Sequence, residues 1–131
     1  MLDAKRMRAQ KANEFLREIA GCGRRFFHHA GRISAFEADY GGRVWFEDAY
    51  SQKRIYTHYR YKWRGFTNGG TLRALVERLR DYISTGHSPN LNLGPWPEHL
   101  CDGDLWGYGD DMQRVRAAAQ RLFENATEAQ R

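Results

Sequence analysis

From Leu72 to Ile83 the residues Leu72, Leu75, Val76, Leu79, Tyr82 and Ile83 recur at the three- and four-residue spacing of one helical face, while Arg73, Glu77, Arg80 and Asp81 fall mostly opposite. A helix striped in this way, predicted over 71–85 and closed by Gly86, needs an apolar surface to lie on. The residues before it supply one. Four runs rich in aromatic and β-branched residues, Arg24 to Ala30, Arg32 to Asp39, Arg43 to Tyr50 and Arg54 to Trp63, are broken by Gly31, by Tyr40-Gly41-Gly42 and by Ser51-Gln52-Lys53. Links this short join antiparallel neighbours, so residues 24–64 read as a meander of three strands, or four if Gly31 divides the first from the second.

Two further helices frame this unit. Ala12, Phe15, Leu16 and Ile19 share a face within a helix over 3–20 that ends at Gly21 and Gly23. Asp110 and Gln113 are spaced like a capping box at the head of a helix over 111–125, with Met112, Val115, Ala119 and Leu122 facing inward. Residues 87–109 show no period, yet they hold all three prolines together with Trp96, Trp106 and Tyr108, which points to an ordered loop packed over the body. The expectation is a single α+β domain, residues 1–131, with the helices on one face of the sheet and the other face left for solvent or a partner.

Leu, Ile, Val and Phe make up only 24 of the 131 residues, so four Trp and seven Tyr must share in the core. A membrane span needs roughly 18 consecutive apolar residues, and no stretch comes near this; Met1 to Lys11 also lacks the apolar centre of a secretory signal. A cytoplasmic protein without membrane contact is expected. Cys22 and Cys101 form no CxxC pair and read as reduced packing thiols, and His28, His29 and His99 lack zinc-ligand spacing, so no metal is expected. Gly41-Gly42 and Gly69-Gly70 read as turns without a phosphate-cradling fingerprint, and no cofactor is expected.

The charge is uneven. Residues 1–86 carry 17 basic and 9 acidic side chains, residues 87–131 carry 4 and 7, and the whole chain has a formal charge of +5. Alternation along the last predicted strand sorts Arg54, Tyr56, His58, Arg60, Lys62 and Arg64 onto one side, opposite Ile55, Thr57, Tyr59, Tyr61 and Trp63. A row of cations with a ring among them suits a phosphate backbone; it is also what a solvated strand uses to discourage edge aggregation. Lys5, Arg6, Arg8 and Lys11 crowd the start of the first helix, where the dipole disfavours positive charge and only Asp3 offsets it. Phosphate would relieve that repulsion; a frayed, solvated N-terminus, common at chain ends, would relieve it equally.

Catalytic chemistry has less to stand on. His28 and His29 are adjacent in a strand, one inward and one outward, and either would need Asp39, Glu47 or Asp48 within reach. Glu47 and Asp48 face opposite sides of the sheet, and no catalytic residue is assigned. In the segment 101–111, Asp110 and Asp111 suit a helix N-terminus, which leaves Asp102 and Asp104, with Trp96, Trp106 and Tyr108, as candidates for protein contact.

The order helix, three strands, helix over 3–86 resembles the double-stranded-RNA-binding domain, and residues 32–84 alone resemble the three-stranded DNA readers of plant AP2 type and phage integrase arms. The former family places a lysine cluster at its second helix, where this chain has Asn68-Gly69-Gly70-Thr71-Leu72-Arg73; the latter would set the sheet face bearing Arg54, Arg60, Lys62 and Arg64 against a duplex. The blocks FFHHAGRISAFEADYGGRVWFEDAY, RIYTHYRYKWRGFTNGGTLRALVERLRDYI and GDLWGYGDDM resemble small accessory proteins of temperate bacteriophages and prophages, which implies a role in host DNA transactions or against host defence.

The resulting expectation is a small non-enzymatic binding protein whose basic sheet face contacts nucleic acid, DNA in preference to RNA. Arg54, Tyr56, His58, Arg60, Lys62 and Arg64 would make the principal contacts, and Lys5, Arg6, Arg8 and Lys11 auxiliary ones. The alternative is an anti-CRISPR-like inhibitor of a host nucleoprotein machine. A third is a nucleic-acid-processing enzyme using His28 or His58 with a carboxylate.

Overall fold

A computed structural model describes residues 2–22, 25–68, 70–89 and 110–124. Helix α1, Leu2–Ala20, buries Ala9, Ala12, Phe15, Leu16, Ile19 and Ala20, the expected stripe carried one turn further toward the N-terminus. The helix ends where the Gly21 N–H donates to the carbonyl of Arg17 at 3.1 Å.

Five short strands in two sheets follow among the described residues. Strands β1, His28–His29, and β2, Arg32–Ile33, form an antiparallel hairpin. Strands β3, Ala35–Ala38, β4, Val44–Glu47, and β5, Arg54–Tyr56, form an antiparallel meander in the order β3-β4-β5. The chain is therefore α+β as expected, but the end of the first predicted run and the start of the second pair as a separate hairpin, while the rest of the second run, Ala35–Ala38, is the first strand of the meander. The cause is local: Ala30 at φ 51° and Gly31 at φ 78° both lie in the left-handed region, as the two-residue turn that matches strand twist requires. Alanine is an unusual first residue for such a turn, so the sequence does not spell it.

The second difference bears on the site. The expected strand from Arg54 to Trp63 stops at Tyr56, because its partner runs out. Thr57 closes the ladder by donating both its N–H, at 3.3 Å, and its hydroxyl, at 2.6 Å, to the Val44 carbonyl, and before Val44 the chain is already in the β3–β4 turn. Beyond Thr57 the backbone turns, with the Tyr59 N–H on the Tyr56 carbonyl at 3.1 Å.

Phe36 and Ala38 of β3, Val44 and Phe46 of β4 and Ile55 of β5 share the buried face. Burying a ring such as Phe46 is worth about 2–3 kcal/mol. Against this face lie α1 and helix α2, Gly70–Thr85, whose stripe Leu72, Leu75, Val76, Leu79, Tyr82 and Ile83 is buried as its spacing predicts. Helix α3, Asp110–Ala119, continues into a π-helical turn, Gln120–Glu124. Val115 and Leu122 point inward as expected, Ala118 is buried where Ala119 is only half-buried, and the wider turn also brings in Phe123, edge-on to Phe15 and Tyr82. At the outer edge of β3 the side chain of Asn13 imitates a strand: its amide donates to the Phe36 carbonyl at 3.1 Å and its oxygen accepts from the Phe36 N–H at 2.6 Å. Among the described residues no helix is long and apolar enough to cross a membrane.

Candidate nucleic-acid interface

The face of the meander turned away from the helices carries Glu37, Trp45, Glu47, Arg54 and Tyr56. It is not uniformly basic. Glu47 stands opposite Arg54 in register, and the Arg54 guanidinium donates to the Glu37 carboxylate at 3.1 Å while lying 4.4 Å over the Trp45 ring. The absence of acids along one strand thus does not extend to its neighbours, and Arg54 is held by a carboxylate and a ring. Trp45 is fixed in turn by Asp39, which accepts its indole N–H at 3.0 Å and the Arg43 N–H at 2.9 Å. These two bonds, the indole's first, hold the Asp39 carboxyl below its ordinary range.

The free cations lie beyond the strand. Arg60, Lys62 and Arg64 are exposed, and none of them pairs with an acid among the described residues. Although no longer in a strand, Lys62 and Arg64 return beside β5: with Arg54, Tyr56, Tyr59 and Trp63 they border a shallow depression of about 430 Å³. Exposed rings accompany them, since Tyr59 and Tyr61 meet edge to face at 5.6 Å with half or more of each in solvent. Expected as inward partners of Ile55, these two tyrosines instead join the cations at the surface; only Thr57 and Trp63 of that set are buried with it.

Helix α2 holds this segment in place. Arg73 stacks 4.2 Å over the buried Trp63 ring and donates to the carbonyls of Tyr61 at 3.0 Å and Tyr59 at 3.4 Å. Arg80, one heptad along, donates to the Thr57 carbonyl at 2.6 Å and to the Asp81 carboxylate at 2.9 Å. Both arginines were expected only on the polar face of the helix. Their seven-residue spacing on one side of α2 was a visible signal, but the carbonyls they bind come from a segment read as a strand.

Beside β5 the backbone is open. The Asp48 N–H donates to the Lys53 carbonyl and the Thr57 N–H to that of Val44, so by the antiparallel alternation Ile55 points its N–H and C=O at β4 while Arg54 and Tyr56 point theirs outward. The outward Tyr56 carbonyl takes the Tyr59 N–H; the N–H groups of Arg54 and Tyr56 face the depression without a partner among the described residues.

The cluster on α1 is largely structural. Lys5 donates to the Gly42 carbonyl at 3.1 Å, Arg8 to the Ile83 carbonyl in the last turn of α2 at 2.9 Å, where positive charge suits the helix dipole, and Arg6 lies 5.2 Å over the exposed Tyr40 ring. Lys11 is half-buried on the same helix. His58 links this cluster to the depression, with its ring 5.7 Å from that of Tyr56. Partial burial, and then the charge of Arg80, lower its pKa; Lys5 adds to the effect and Asp81 opposes it.

His28 and His29 are both half-buried, in place of one inward and one outward. The acids considered as their partners are committed elsewhere: Asp39 to Trp45, Glu47 to the open face, and Asp48, nearly fully buried, to backbone and hydroxyl donors. Among the described residues no three His, Cys, Asp or Glu side chains gather as a metal site. Trp96, His99, Cys101, Asp102, Asp104, Trp106 and Tyr108 lie outside the described residues.

The fold and site define an α+β protein with its helices on one face of a three-stranded meander and a cation- and tyrosine-rich strand edge. This chain belongs to the YoqU family, whose family model matches residues 3–128. No curated protein and no solved structure gives a significant match.

Proposed function

We propose that the chain is a small, non-enzymatic accessory protein of phage type that holds single-stranded nucleic acid, DNA in preference to RNA, along the open edge of β5. The observation that carries this reading is the meeting of Lys62 and Arg64 with Tyr56 and Tyr59 beside the edge of β5, with the exposed Arg60 and Tyr61 on the same segment and none of the three cations paired with an acid among the described residues. Cations can follow a phosphate backbone while rings stack on bases of any sequence. Duplex docking across the whole sheet face is disfavoured, because Glu37 and Glu47 would face phosphate there.

The test is fluorescence anisotropy of labelled single-stranded DNA, RNA and duplex titrated at about 50 and about 200 mM salt, where each phosphate contact on a single strand adds about 0.7 to the slope of log K against log salt. Single strands should bind more tightly than duplex, with DNA ahead of RNA. The triple variant R60A/K62A/R64A should weaken binding and flatten the slope by about 2. No binding at the lower salt, or an unchanged slope in the variant, overturns the reading.

A second reading rests on the outward N–H groups of Arg54 and Tyr56. A free edge also accepts an extended segment of a partner protein, as an inhibitor of a host nucleoprotein machine would require. It predicts a stable complex with one host protein that survives nuclease treatment and is lost when Tyr56 is replaced by Pro.

A further inference from the structure

At the end of the meander remote from the β3–β4 turn, the β1–β2 hairpin and the β4–β5 turn enclose a groove of about 520 Å³. Arg25, His28, His29, Asp48, Tyr50 and Asn68 are among the residues lining it. Asp48 is the only acid among the described residues of this lining, and it is spent. Its Oδ1 accepts the N–H groups of Tyr50 at 2.8 Å and Ser51 at 3.1 Å, its Oδ2 accepts the Thr67 N–H at 2.9 Å, and the Thr67 hydroxyl lies 3.0 Å from both oxygens. The Ser34 hydroxyl oxygen likewise accepts the Ala49 N–H at 2.8 Å. What remains to meet a ligand is a set of donors: the Arg25 guanidinium, the imidazoles of His28 and His29, each with at least one N–H, and the Asn68 amide.

The wall beside them is flat and aromatic. The His29 and Tyr50 rings stack at 3.7 Å with 29° between their planes, and Tyr50 is 62% exposed, so its ring retains solvent-facing surface. The backbone that carries the donors is strained. Arg25 at φ 50°, Phe27 at φ 66° and Ala30 at φ 51° all lie in the left-handed region, and they are three of the four such non-glycine residues among those described. Strain persists where surrounding contacts fix it and gathers at ligand clamps. Here the buried Phe27 ring, edge-on to Phe46 at 6.0 Å, and the Ser34 N–H on the Phe27 carbonyl at 2.8 Å hold the conformation that places Arg25 and His28 in the lining of the groove.

We propose that this groove binds a phosphomonoester carrying a planar base, the chemistry shared by a free nucleoside monophosphate and the 5′-terminal nucleotide of a nucleic acid, with Arg25 and His28 on the phosphate and Tyr50 under the base. The site is separate from the cations beside β5 and stands whether or not that edge binds nucleic acid. An anionic phosphate joined to a planar base suits it because unspent donors lie beside an exposed ring, with no unspent carboxylate among the described lining residues to repel phosphate.

Calorimetric titration of the full chain with AMP, inorganic phosphate and adenosine tests this. AMP should bind with a Kd below about 1 mM, and phosphate or adenosine alone should bind at least roughly ten-fold more weakly. Arg25→Gly removes the guanidinium and tolerates the positive φ, so the variant should fold at least as well as the parent and lose about ten-fold in AMP affinity. Y50A should lose a similar factor, whereas R60A/K62A/R64A should bind AMP as the parent does. A 5′-phosphorylated oligonucleotide that outcompetes its 5′-hydroxyl counterpart identifies the terminal nucleotide as the source; equal competition identifies the free nucleotide. Absence of AMP binding below about 1 mM, or binding unaffected by R25G and Y50A, overturns the proposal.

Discussion

The Arg73 guanidinium lies 4.2 Å over the Trp63 ring and donates to the Tyr61 carbonyl, so one α2 side chain fixes both the anchor and the crest of the segment that carries the free cations. Cation–π contact and two hydrogen bonds at a partly exposed site together stabilise by about 1–2 kcal/mol. R73A should lower stability to urea by that amount. It should also raise the protease sensitivity of residues 57–66, while R73K, which keeps the charge and loses the planar fork, should recover less than half of the loss.

Asp48 joins β4 to the turn before α2 by serving four donors from one nearly inaccessible carboxylate. Removing an acceptor that serves four part-buried donors costs more than a single bond contributes, so D48A should destabilise by about 2–3 kcal/mol. D48N keeps one oxygen and should cost roughly half as much. Thermal denaturation of both variants measures the difference; equal melting temperatures for D48A and parent would refute the role.

Asp39 has its carboxyl pKa lowered in the fold by the Trp45 indole N–H and the Arg43 N–H, from an ordinary value of 3.8. The folded state therefore favours the carboxylate, and the contribution is present above the unfolded value and lost as pH falls through the lower folded one. The Trp45 indole N–H resonance should move through this acid range, below about pH 4, and D39N should abolish the movement.

His58 works in the opposite direction. Burial and the charge of Arg80 lower its pKa below 6.5, so the unfolded chain binds a proton that the folded chain refuses. Stability should fall as pH drops through the unfolded value and level off below the folded one, with no contribution above about pH 7.5. H58Q should remove this part of the pH dependence in urea titrations at a series of pH values.

Much of the fold was legible because helices announce themselves by periodicity. The stripe of α2 and that of α1 fall where their spacing places them, as do the glycines that end them. The strands were harder to bound, since a strand's length depends on its partner. Nothing in Arg54 to Trp63 records that β4 begins only at Val44, and so the alternation was followed seven residues too far. The candidate site was read in part for the same reason. Lys62 and Arg64 reach the depression by a turn and not by strand alternation, and Arg73 and Arg80 were missed because their acceptors are backbone carbonyls, which have no letter in a sequence. The Glu37 contact of Arg54 required the register between strands that are neighbours only through β4.

Asn13 occupies the outward N–H and C=O of Phe36, so the β3 side of the meander is terminated while the β5 side is not. A sheet with two open sides polymerises; one with a single open side can dimerise and then has nowhere left to grow. Strand pairing between copies of the meander is thereby directed to β5 and away from β3, a chain-stopper written into α1 as one carboxamide.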